Sequence, residues 1–196
     1  MSAVDLSSFA GLTAMVLLTV NVLLGLLVTT NYNPRTHWPH RKIPIFKVHN
    51  WTAYVALSVL VLHPVILLFS STAKFGLGDV LLPIDSPGQT FYNNLGAIAF
   101  YSILLVVVTS YLRPRIGYRT WRKLHWVAYF AATMIFTHAL LIDPNLKNQP
   151  PDLIDGEKVL VEGCFLSVVA ATILRARYGS EKRRWKAAKQ RGERVA

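Results

Sequence analysis

Five long apolar runs limit what this chain can fold into more than any other feature. Residues 9–30 contain no Lys, Arg, Asp or Glu, and neither do residues 92–112. Further runs cover about 49–70, 121–142 and 157–174. The fourth carries Arg122 and Lys123 in its first turn, and the fifth, the shortest, has Glu162 inside it. A helix needs about 20 apolar residues to cross a bilayer. The runs are too long and too rich in Leu for buried strands. The expected fold is therefore an all-α integral membrane protein, a five-transmembrane-helix bundle over residues 1–178 with a basic cytoplasmic tail over 179–196. The first run reads as a mature span, because the only charge before it is Asp5, where a signal peptide needs a positive segment.

Charge decides how the spans are threaded. Only 16% of the 196 residues are charged, against about 25% in soluble domains, yet the formal net charge is +11. The 53% hydrophobic content excludes a disordered chain. The single cysteine, Cys164, excludes a disulfide scaffold and reads as a small buried residue. The cations are not spread evenly. Residues 31–48, 112–124 and 175–196 carry 18 of the 21 Lys and Arg, while residues 72–91 and 143–158 are net acidic. Alternate connections are thus basic. Such an excess marks the cytoplasmic side, so the N-terminus is expected outside and the C-terminus inside a bacterial-type inner membrane. The second and fourth spans then run parallel. A basic nucleic-acid surface does not fit this distribution, and the tail is read as an orientation signal facing lipid headgroups.

Six histidines are present, and four lie within spans: His49 and His63 on the second, His125 and His138 on the fourth. Ionisable groups within a bilayer are costly and turn towards a protein interior, a partner or a cofactor. The members of each pair are 14 and 13 residues apart, about 20 Å along a helix, too far to share one ion. Across parallel spans, the partners become His49 with His125 at the inner side and His63 with His138 at the outer side. Each pair suits a large flat group clamped between two helices, with a porphyrin and two axial imidazoles as the leading candidate. Zinc fits less well, since it takes about four close ligands. At about 100° per residue, His49 and His63 share a helix face, but 13 residues leave about 140° between His125 and His138. Local tightening or bending absorbs only some of that mismatch, so pure helix arithmetic does not predict the second pair well.

With these residues in view, the stretches HNWTAYVALSVLVLHP and WRKLHWVAYFAATMIFTH resemble the ferric reductase-like transmembrane domain family, which includes ferric reductases, the membrane domain of NADPH oxidases and the haem subunit of the periplasmic methionine sulfoxide reductase. The resemblance covers nearly the whole chain. It implies that His49, His63, His125 and His138 are axial ligands of two b haems, iron-binding residues of an electron wire across the membrane. His49 and His125 would hold the inner iron, and His63 and His138 the outer one. The family domain usually has six helices, so this chain is expected to lack the first. An extra histidine of the oxygen-reducing branch falls at Leu67, which counts against superoxide production.

Two imidazoles on each iron leave no open position, which makes a cytochrome b-type electron carrier. Trp51, Tyr54, Trp126, Tyr129 and Phe130 are expected to serve in packing or in an interfacial belt. Arg41, Arg119 and Arg122, with Lys42 and Lys123, are candidate partners of haem propionates at the inner side. His37 and His40 are candidate contacts for a quinol, or plain loop histidines near headgroups. Asn21 is read as a hydrogen bond across helices. Pro64 is expected to bend the second span. Only about 22 residues follow the fifth span, and no Gly-rich dinucleotide fingerprint occurs. Electrons are thus expected from a separate flavoprotein or a quinol, and an outside acceptor such as ferric iron, oxygen or a periplasmic reductase would take them. The chain reads as an oxidoreductase component without its own flavin or NAD domain. The alternatives are a nonenzymatic haem-bearing anchor or assembly subunit of a respiratory complex, and a haem or metal transporter.

Overall fold

The computed structural model describes residues 2–29, 44–143 and 152–190. Its regular elements are helical. α1 spans Ala3–Thr29, α2 Ile45–Leu67, α3 Leu77–Leu81, α4 Thr90–Tyr111, α5 Arg113–Ile116, α6 Tyr118–His125, α7 Val127–Leu141 and α8 Gly156–Gln190, with a 3₁₀ turn at Pro83–Asp85. No strand occurs among the described residues. Five stretches are long and apolar enough to cross a membrane: Ala3–Thr29, Ile45–Leu67, Thr90–Tyr111, Tyr118–Leu141 and Gly156–Ser180. The protein is an integral membrane bundle, as the five apolar runs require. α8 continues well past the last apolar residues, and Pro64 lies inside α2 near its C-terminal end.

Side chains such as Phe9, Leu62, Phe130 and Leu166 are at least half exposed. In water such a surface would aggregate, whereas lipid tails cover it at no cost. The interior is built from small residues. Ala14, Ala56 and Ala131 are fully buried and Ala99 is 2% exposed. Small side chains let helices approach closely where no hydrophobic effect drives them together. α1 packs along α2, and α4 packs along the α6–α7 span. These two helix pairs face each other across a core that includes Met15, Leu18 and Ile135.

The fourth span is broken at Trp126, between α6 and α7. Two backbone bonds there skip only three residues: Trp126 N–H donates to Lys123 O at 3.3 Å and Tyr129 N–H to Trp126 O at 3.1 Å. A three-residue turn winds faster than an α-helix, by about 120° per residue against about 100°. Over one turn of three residues this adds about 60°, so the break takes up part of the mismatch of about 140° left by the 13-residue spacing. Before α6, Gly117 sits at φ +80°, a left-handed value that lets the chain turn out of α5.

The two ends of the bundle differ in charge. α5 and α6 put Arg113, Arg115, Arg119, Arg122 and Lys123 at the end where α1 and α4 finish. At this end Arg175 of α8 hydrogen-bonds the Thr29 hydroxyl. The opposite end carries Asp79, Asp143, Asp152, Asp155 and Glu157, together with Lys74 and Lys158.

Candidate functional site

Four span histidines meet as two pairs. The rings of His49 and His125 lie 6.3 Å apart between centres, inclined by 71°, at the arginine-rich end. Those of His63 and His138 lie 6.5 Å apart, also inclined by 71°, at the opposite end. α2 and the α6–α7 span are therefore parallel.

Hydrogen bonds orient three of the rings in the same way. His49 Nδ1–H donates to the Asn21 carbonyl at 3.0 Å, His63 Nδ1–H to the Ser7 carbonyl at 2.7 Å, and His138 Nδ1–H to the Tyr92 carbonyl at 2.7 Å. A carbonyl oxygen only accepts, so Nδ1 carries the proton and Nε2 keeps its lone pair. That is the tautomer a ligating histidine uses, with the second nitrogen tied down to hold the ring. Ser7 secures His63 a second time: its hydroxyl donates to the His63 carbonyl at 2.7 Å and stands 3.1 Å from Nδ1.

Each of these three rings also rests on a glycine four residues beyond its carbonyl acceptor. A Cβ on Gly11 would come within 2.9 Å of His63 Nδ1, one on Gly96 within 2.9 Å of His138 Cε1, and one on Gly25 within 3.2 Å of His49 Cε1. Any other residue there would press into the ring. Gly11 and Gly25 are 14 residues apart on α1, matching His63 and His49 on its antiparallel neighbour. On α4, the position 14 residues after Gly96 is Ser110, and here the pattern changes. The Ser110 hydroxyl stands 3.4 Å from His125 Nδ1 and accepts a hydrogen bond from Trp121 Nε1–H at 3.2 Å. Trp121 also lies against the His125 ring, with centres 5.0 Å apart and planes at 32°. Arg113 sits over Trp121, its guanidinium carbon 4.5 Å from the ring centre.

The histidine pairs open into two clefts. The cleft at the opposite end is larger than the first, which lies at the arginine-rich end. Met15, Leu18 and Ile135 line both, so an apolar wall separates them. The Asn21 side-chain oxygen, on the wall of the first cleft, is buried with no hydrogen-bond partner among the described residues. The expected bond across helices is made instead by the Asn21 backbone, to His49.

Other residues singled out in the sequence fall elsewhere. Arg119 and Arg122 are exposed and line neither cleft. Trp51, Trp126 and Phe130 are at least half exposed on the bundle surface, while Tyr54 lines the first cleft. Cys164 is half-buried against the core. His37, His40, Arg41 and Lys42 lie outside the described residues. Among the described residues, no three His, Cys, Asp or Glu side chains gather closely enough to hold a metal ion. Sequence marks Lys158 only as one of three outer-side cations, with Lys74 and Lys147, and shows neither its burial nor the glycine and serine cradles. The matching 14-residue intervals were the signal for the cradles.

A family model described as ferric reductase like transmembrane component matches residues 10–136. The chain belongs to that family. The match takes in His49, His63 and His125, and His138 lies two residues beyond it. Domains of the ferric reductase-like family typically bind haem, and membership points to a membrane electron-transfer component. Comparison with curated proteins and with solved structures gave no match.

Proposed function

We propose that this chain is a dihaem b-type cytochrome that carries electrons across the membrane, with His49 and His125 on one iron and His63 and His138 on the other. The paired rings, three of them fixed in tautomer by a backbone carbonyl, carry this reading. A metal–imidazole bond is about 2 Å and a ring nitrogen lies about 1.1 Å from its ring centre, so two rings on one metal stand about 6 Å apart. The observed 6.3 and 6.5 Å agree with that spacing. Each pair supplies only two ligands, so a metal held there must bring its own equatorial donors, as a porphyrin does. The clefts beside the pairs offer room, and the unpartnered Asn21 oxygen belongs to a wall that meets a bound group or water.

When bound, two such haems supply one-electron carriers whose potentials the protein sets through ligands, hydrogen bonds and burial. The chain's own residues do the rest. Ser7, Asn21 and Tyr92 hold the Nδ1 protons, and Ser110 takes the corresponding place for His125. Gly11, Gly25 and Gly96 give the rings room, and Met15, Leu18 and Ile135 keep water from joining the clefts. The arginine-rich end faces the cytoplasm by the Lys and Arg rule. Electrons enter there from a separate flavoprotein or quinol and leave at the other end to an outside acceptor.

Haem extraction and visible spectroscopy of the purified full chain test the proposal. Two noncovalent b haems per chain with low-spin spectra are expected. A chain carrying no haem, or a single one, overturns it.

A further inference from the structure

Among the described residues, charged side chains line only one of the two clefts. The described wall around His49 and His125 has no Lys, Arg, Asp or Glu, whereas the wall around His63 and His138 includes Asp79, Asp143, Glu157 and Lys158. Lys158 is the cation of this group and is only 4% exposed. Its Nζ donates to the carbonyl oxygens of Ala139 at 2.8 Å and Ile142 at 2.6 Å. These carbonyls belong to the last turn of the helix that carries His138, and Ala139 is the next residue in the chain. An ammonium at a helix C-terminus complements the exposed carbonyls and the helix dipole. A neutral amide could make the same two bonds without the cost of burying a charge in a span. What lysine adds beyond the clasp is its positive charge, fixed beside the His138 turn.

We propose that Lys158 is a positioning residue that raises the reduction potential of the haem held by His63 and His138. The inference rests on the dihaem reading above. A ferric porphyrin with two neutral imidazoles carries one more positive charge than the ferrous form. A fixed cation in a medium of low dielectric disfavours the ferric state and so favours the arrival of an electron. The carboxylates on the same wall act with the opposite sign. Glu157 is half-buried and accepts a long hydrogen bond from the Ser8 hydroxyl at 3.5 Å. Asp143 is buried, with its backbone bonded in both directions to the Gln89 amide. Lys158 differs from both in being anchored on the histidine-bearing helix itself.

The test is a reductive titration of the purified, haem-loaded full chain, followed at the haem absorption bands. The wave belonging to the His63/His138 haem is identified as the one missing in His138→Ala. Lys158→Met should move that wave to lower potential by at least tenfold in its equilibrium constant, about 59 mV for one electron, and leave the other wave in place. Lys158→Arg keeps the charge and should hold the wave near its original position. Should Lys158→Met fail to assemble, Glu157→Gln provides the converse, since removing a negative charge from the same wall should raise the same wave. Two haems whose waves ignore the charge changes overturn the inference alone. So does a Lys158→Arg shift as large as that of Lys158→Met, because the role is then packing rather than charge. A chain without haem overturns the dihaem reading and this inference together.

Discussion

At the arginine-rich end, His125 leans on the Ser110 hydroxyl and the face of Trp121; at the opposite end, His138 leans on Gly96 and a helical carbonyl oxygen. The Nδ1 contacts are 3.0 and 3.4 Å in the first pair and 2.7 Å for both rings of the second. The second pair is thus held more firmly. A stronger Nδ1–H bond also makes an imidazole the more basic ligand, which favours the ferric state. Lys158 acts at that same end in the other direction. The comparison teaches that one clamp, used twice, still leaves room to tune each copy: backbone acceptors and glycines repeat, and the side chains around them do not.

The largest effect expected from breaking this comparison comes from the ligands. His138→Ala should remove about half of the haem and spare the His49/His125 group, while His49→Ala should do the reverse; haem content and absorption spectra check both. Next comes Gly96→Val. Its Cβ would meet the His138 ring at 2.9 Å, and overpacking of this kind costs about 1–3 kcal/mol. Thermal unfolding followed at the haem bands should show the His63/His138 group released first. Ser110→Ala should cost about 1 kcal/mol and loosen the His125 side alone, because it removes the hydroxyl that faces both Nδ1 and the Trp121 N–H. A change in the electron paramagnetic resonance signal of one haem reads this out. Smallest is Gly25→Ala, where the new methyl stands 3.2 Å from His49 Cε1. A shift of the neighbouring ring by a few tenths of an ångström should absorb it, at below about 1 kcal/mol in the same melting measurement. If Gly25→Ala proves as damaging as Gly96→Val, the two ends are equally rigid and the contrast drawn here is wrong.

Much of the architecture was legible in the sequence because lipid imposes simple rules. Charge-free runs of bilayer length had to be helices, and the alternation of basic and acidic connections made the second and fourth spans parallel, which is what pairs His49 with His125 and His63 with His138. The misfit of the 13-residue interval was legible too, although the tightening at Trp126 that takes up part of it depends on local hydrogen bonding that periodicity does not encode. The cradles were harder to see. Gly11, Gly25, Gly96 and Ser110 stand at telling intervals, but their meaning depends on which helices are neighbours. Lys158 looked like one cation of an outer connection, because burial by the end of α7 is a tertiary fact. Arg119 and Arg122 were read as candidate propionate partners; the turn of α6 leaves both exposed and outside the described lining of either cleft.

The wall of Met15, Leu18 and Ile135 between the two clefts has a consequence for energy conversion. It offers no hydroxyl, carboxylate or amide from which a proton wire could be strung. On the dihaem reading, an electron crossing that layer moves charge through part of the membrane. It works with or against the membrane voltage by up to about 2.3 kcal/mol per 100 mV for a full crossing, and the rate of transfer should respond to an imposed diffusion potential in sealed vesicles.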